Sequence, residues 1–144
     1  MFHRILVPTD GSDITSNAVN LAIQLAKLHG AELMTLSVTE PFPYAAVSEI
    51  QPVPPQEFMD AQQRVAGRRV EAVRAAAAAA GLTCQAHTVE ALHAWEAIIE
   101  HAKKEGVDLI VMASHGRRGV AALLLGSETQ KVLTHTDLPV LVVK

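Results

Sequence analysis

Apolar positions along the chain fall into five short runs separated by longer stretches of helical spacing. The runs are Ile5-Leu6-Val7, Leu33 to Val38, Cys84 to Val89, Leu109 to Met112, and Val140 to Val143. The first, fourth and fifth are continuously apolar, the pattern of strands covered on both faces. Between them, Ala18, Leu21, Ala22 and Leu25 mark one face of a helix over Ser16 to His29, with Gly30 as its C-terminal stop. Met59, Ala66, Val70, Val73 and Ala77 recur at helical spacing from about Gln56 to Ala80, and Gly81 ends that helix. Gly67 inside it costs about 1 kcal/mol relative to alanine, tolerable in so long a helix. A third helix is predicted from Ala94 to Glu105 before Gly106. A fourth runs from Ser127 to about His135, and Pro139 opens the last strand.

This alternation predicts one α/β domain over residues 1–144. The expected architecture is a doubly wound, five-stranded parallel sheet of order 3-2-1-4-5. Helices lie on both faces, joined by right-handed crossovers, in a flavodoxin-like or Rossmann-like arrangement. One connection departs from the short loops of such folds. Residues 40–55 hold Pro41, Pro43, Pro52, Pro54 and Pro55 among the chain's 7 prolines, the composition of a lid or of a disordered segment.

Composition narrows the function. Hydrophobic residues make up 49% but aromatics only 3%, so the apolar content is small and aliphatic. That suits helices packed flat on a sheet and leaves no stacking surface for bases. A net charge of −3 and a pI near 6.1 argue against nucleic acid or an anionic membrane as the main partner. Cys84 is the single cysteine and has no partner for an intramolecular disulfide. No stretch approaches the ~18 apolar residues of a membrane span. The opening Met1-Phe2-His3-Arg4 leads into a strand without a leader pattern, and a cytoplasmic protein is expected.

Ligands of doubly wound sheets sit beyond the carboxyl ends of the strands, where strand order reverses. Here that point lies between strands 1 and 4. Pro8-Thr9-Asp10-Gly11-Ser12-Asp13 follows the first. Ala113-Ser114-His115-Gly116-Arg117-Arg118-Gly119, then Gly126-Ser127-Glu128-Thr129, follow the fourth. Gly116 and Gly126 admit close backbone approach to an anion. Ser127 is placed to cap the fourth helix, whose N-terminal amides favour negative charge. Ser114, Ser127 and Thr129 add hydroxyl donors. These features serve a phosphate site, and they equally serve turns and a helix cap.

Met112-Ala113-Ser114-His115-Gly116, nine further residues and Gly126-Ser127 have the spacing of a family motif: Gly, two residues, Gly, nine residues, Gly-Ser or Gly-Thr. With the opening Ile5-Leu6-Val7-Pro8-Thr9-Asp10-Gly11-Ser12 and the closing Pro139-Val140-Leu141-Val142-Val143, the chain resembles the nucleotide-binding branch of the universal stress protein family over its whole length. The resemblance implies the Rossmann-like fold shared with adenine nucleotide alpha hydrolases. It implies ATP, with Mg²⁺, as ligand of a stress-response protein that is not an enzyme, weak hydrolysis aside. Asp10 would bond the ribose or adenosine portion, Pro8 and Thr9 would wall the adenine pocket, and Val38 and Met112 would pack on the base. Gly116 would admit the phosphates, and Gly126, Ser127 and Thr129 would hold them, with Ala113, Ser114, His115, Arg117 and Glu128 completing the site. The family also implies a homodimer through Val140–Val143. An apolar edge strand left bare is an aggregation hazard, so its pairing is physically sensible.

One position departs from the motif, because Ala113 occupies its first glycine. If that site needs φ > 0, alanine costs ~1 kcal/mol or more. If only space is at issue, affinity falls instead of vanishing.

Other chemistries fit poorly. A phosphoacceptor domain needs an aspartate after strand 3, where Thr88-Val89-Glu90 stands. A flavin site wants aromatic cover, and Tyr44 and Trp95 are the only sizeable amphipathic rings. The 7 histidines are scattered without metal-ligand spacing, and His29 and His135 fall near helix ends. Arg117 and Arg118 offer charge to phosphates or remain solvated. Ser12 lacks a nucleophile-elbow pattern. Cys84 reads as a small apolar residue of an interior strand. The rival functions are a slow ATPase and a nucleotide-free, dimeric partner-binding protein.

Overall fold

The computed structural model describes residues 1–43, 55–116 and 125–144. Five strands and four helices alternate as β1 (Arg4–Pro8), α1 (Asp13–His29), β2 (Glu32–Thr39), α2 (Gln56–Ala79), β3 (Cys84–Glu90), α3 (Ala94–Lys104), β4 (Leu109–Ala113), α4 (Ser127–His135) and β5 (Val140–Val143). All pairings are parallel, and the sheet order is β3-β2-β1-β4-β5, as the alternation predicted.

Period-2 geometry splits the strands between two cores. Ile5, Val7, Leu33, Leu109 and Val111 face α1 and α2, meeting Ala18, Ala22, Ala26, Val73 and Ala77. Leu6, Met34, Leu36, Ile110 and Met112 face α3 and α4, meeting Ile98, Ala102 and Val132. The small alanines let the helices lie close on the sheet. Central β2 is buried from Leu33 through Ser37 although it carries Thr35 and Ser37. The Thr35 hydroxyl is satisfied by donating to the Val7 carbonyl at 2.8 Å.

Several local expectations change. Helix α1 begins at Asp13 instead of Ser16, because extended Ser12 (φ −77, ψ 159) already starts the turn that Thr15 buries. Gly30 ends it in the left-handed region at φ 65. The apolar run of β5 does not mean cover on both faces. Among the described residues it pairs only with β4, and it is partly exposed throughout, with Leu141 at 37%. Nor is Cys84 on an interior strand, since β3 is an edge. The residue itself is nevertheless buried at the start of that strand, and burial pushes its thiol up to about 11 despite the opposing field of Arg74. No described helix is long and apolar enough to cross a membrane.

Candidate functional site

The carboxyl ends of β1 and β4 release two loops at the point where strand order reverses. From β1, Thr9 still donates its N–H to the Leu36 carbonyl at 2.9 Å. The chain then turns through Gly11 at φ 77, a conformation that side chains rarely adopt. That turn fixes Asp10. Its Oδ1 accepts from Ser12 N at 2.9 Å, Ser12 Oγ at 2.6 Å and Thr15 Oγ1 at 2.6 Å. Ser12 thus stands at the N-cap position of α1, but its hydroxyl serves Asp10 and makes no cap bond to the helix.

From β4, Ser114 donates its N–H to the Val143 carbonyl at 2.7 Å, extending the ladder with β5. The start of α4 is fastened back onto this segment. Gly126 N donates to the Ser114 carbonyl at 2.7 Å, and Thr129 Oγ1 donates to the Ala113 carbonyl at 2.9 Å. A side chain at Gly126 would press the His115 Cα and the Ser114 carbonyl oxygen, both 3.2 Å from the position of a Cβ. Gly126 is itself the N-cap and Ser127 the first helical residue, so the expected Ser127 cap is replaced by a glycine one. Glycine is favoured here because a side chain would wedge the helix off the strand. The two loops then meet directly, since a Cβ on Gly116 would stand 2.9 Å from Asp10 Oδ2.

Between them lies a cleft of about 490 Å³, within the ~300–1,000 Å³ of small-molecule sites. Pro8, Thr9, Asp10, Val38, Met112, Ala113, His115, Gly116, Gly126, Ser127, Glu128 and Thr129 line it. Ser114 does not. It is 2% exposed, and its hydroxyl is paired with His115 Nδ1 at 3.0 Å. Arg117, Arg118 and most of the proline-rich segment lie outside the described residues. Glu128 borders the cleft, but its Oε2 accepts from Trp95 N at 2.9 Å and so caps α3. That makes it a brace between helices. Ala113 takes no positive φ, and its methyl packs in the α1-side core at 7% exposure. The methyl therefore neither strains the backbone nor plugs the cleft.

The sequence did not single out the remaining wall. Thr15 comes from α1, Leu36 and Thr39 from β2, Glu40 from just beyond it, Gln62 and Arg69 from α2, and Ala94 and Ile98 from α3. The β2 residues follow from the rule that strand ends line such sites. The helical ones carry no local signal, because only the packing of α2 and α3 brings them there.

The amides of Ser127, Glu128 and Thr129 form the first turn of α4, where backbone N–H groups lack acceptors within the helix. With the helix dipole they favour an anion at this end of the cleft. Among the described residues no group of three or more His, Cys, Asp or Glu side chains is placed to hold a metal ion.

Fold and cleft together define a doubly wound α/β protein with a cleft of small-molecule size at its topological switch point. A family model for the Universal stress protein family matches residues 1–144, and the chain belongs to that family. Universal stress protein YxiE of Bacillus subtilis is 34% identical over 149 residues that span both chains completely. The solved structure of hypothetical protein MJ0577 of Methanocaldococcus jannaschii superposes with a TM-score of 0.83 at 30% identity, covering 100% of this chain and 96% of that one. A universal stress protein solved in complex with cAMP superposes with a TM-score of 0.76 over 99% of this chain and 97% of that one. Its sequence is 25% identical to this chain.

Proposed function

We propose that the chain is an ATP-binding, cytoplasmic stress-response protein that acts as a homodimer and works by binding, not by catalysis. The observation that carries the reading is the convergence of fixed Asp10, the Gly116 backbone beside it and the α4 N-terminus on one cleft. Pro8, Val38 and Met112 supply apolar wall for a base, Asp10 an acceptor for ribose hydroxyls, and the α4 amides donors for phosphate. The family member described with cAMP is consistent with an adenine nucleotide as the class of ligand.

Calorimetry with millimolar ATP and Mg²⁺ tests the reading. A saturable heat and a raised melting temperature are expected. No heat and no thermal shift would overturn it. Identifying any nucleotide released from the denatured protein by mass spectrometry gives an independent measure. The dimer is proposed to form by pairing of β5, whose outer edge has no strand partner among the described residues. Leu141→Lys should halve the mass measured by sedimentation, and an unchanged mass would refute β5 pairing.

A further inference from the structure

One wall of the cleft is closed by Arg69, a residue of α2 with no part in the loops after β1 and β4. Its stem lies across the β1–α1 turn. A Cβ built on Gly11 would stand 3.0 Å from Arg69 Cγ and 3.6 Å from both Cδ and Nε. Gly11 directly follows Asp10, so α2 carries a half-buried guanidinium to the part of the cleft where Asp10 is fixed. The charge around it is one-sided. Among the described lining residues the acidic ones are Asp10, Glu40 and Glu128, and Arg69 is the only Lys or Arg.

We infer that Arg69 sets the specificity of the cleft for phosphorylated over unphosphorylated adenosine. This rests on the nucleotide reading above and adds to it the residue that reads the ligand's charge. Without Arg69 the charged groups of the described wall are all carboxylates, which repel an anion and leave a neutral nucleoside unaffected. Arginine suits the task because its planar fork matches phosphate oxygens in pairs. Packing of its stem on Gly11 has already restricted the side chain, so less freedom is lost when the ligand arrives. Charge and packing are separable here. Arg69→Met keeps an unbranched stem over Gly11 and removes the charge, while Arg69→Lys keeps the charge and loses the fork.

The test is calorimetric titration of the wild-type chain and both variants with adenosine and with ATP, alongside their melting temperatures. Arg69→Met is expected to weaken ATP about tenfold, the scale of one charge-assisted contact, and to leave adenosine within about twofold. Arg69→Lys should recover part of the loss. Equal ATP affinity in Arg69→Met and wild type would overturn the inference. So would parallel losses of adenosine and ATP, which would make Arg69 a packing element of the turn. Failure of the wild type to bind either ligand would instead overturn the nucleotide reading, and this inference with it.

Discussion

Replacing Gly116 by alanine should couple directly to Asp10. The added Cβ would lie 2.9 Å from Asp10 Oδ2, closer than Cβ atoms come to such neighbours. A long side chain would swing aside, but Asp10 is short and its other oxygen is held by Ser12 N, Ser12 Oγ and Thr15 Oγ1 at 2.9, 2.6 and 2.6 Å. Turning the carboxylate loosens bonds worth ~1.5–3 kcal/mol each when an ion accepts them. Recoil of the Ser114–Gly116 segment instead stretches the 2.7 Å bond from Gly126 N to the Ser114 carbonyl, which fastens α4 to β4. Since neither route breaks every contact, a loss of about 1–3 kcal/mol is expected. The assay is urea unfolding of wild type, Gly116→Ala, Asp10→Ala and the double variant. With the carboxylate gone, the methyl no longer meets Oδ2 and should cost only a few tenths of a kcal/mol, leaving a coupling of ~1–2 kcal/mol. An equal cost of Gly116→Ala in both backgrounds would refute the claim that Asp10 is what requires glycine there.

Other outcomes follow from single positions. Gly67 lies inside α2 with nothing within 4 Å of a built Cβ. Gly67→Ala should therefore raise the unfolding free energy by ~0.5–1 kcal/mol, and a decrease in a urea melt would refute this. Ala113→Gly restores the family's glycine but removes a buried methyl from a residue at ordinary φ. It should cost about 1 kcal/mol of stability and leave ATP affinity unchanged in calorimetry. Affinity that rose severalfold would show that the methyl does obstruct the ligand. His101 packs against His87 with ring centroids 4.7 Å apart, and burial, then the His87 charge and Lys104, hold its pKa below 6.5 against the pull of Glu105. A histidine lowered on folding binds its proton more readily when unfolded. Stability should thus fall as pH drops below about 6.5 toward the lowered value. His101→Gln should flatten that part of the slope in urea melts across the range, and an unchanged slope would assign it elsewhere.

Much of the fold was legible because its signals are local. Continuous apolar runs in β1 and β4, 3.6-residue spacing in α1 and α2, and Gly30 and Gly81 as stops are each readable within a few residues. The same locality misled at β5. The run Val140-Leu141-Val142-Val143 reads as covered on both faces, yet the strand is partly exposed throughout, at the sheet edge where the order 3-2-1-4-5 places it. Ser127 misled likewise. Serine is a good N-cap, but the N-cap position falls one residue earlier on Gly126, where a Cβ would come within 3.2 Å of Ser114 and His115.

The candidate site divides along the same line. Residues on the two motif-bearing loops could be placed because the chain delivers them in sequence from strand ends that the sheet order sets side by side. Arg69 and Gln62 reach the cleft from a helix whose readable face, Ala66, Val70, Val73 and Ala77, describes only what it buries. Arg69 sits one position before Val70 and so at the margin of that face, half-buried against Gly11. A margin position holds an arginine equally well when its guanidinium is solvated or when it is aimed into a site, and periodicity is blind to the difference. What decides is the positive-φ turn after Asp10, which leaves room for the stem to cross the loop. The glycine that shapes the β1 turn and the arginine that closes the cleft are therefore one feature, split between two elements some sixty residues apart in sequence, and neither half shows it alone.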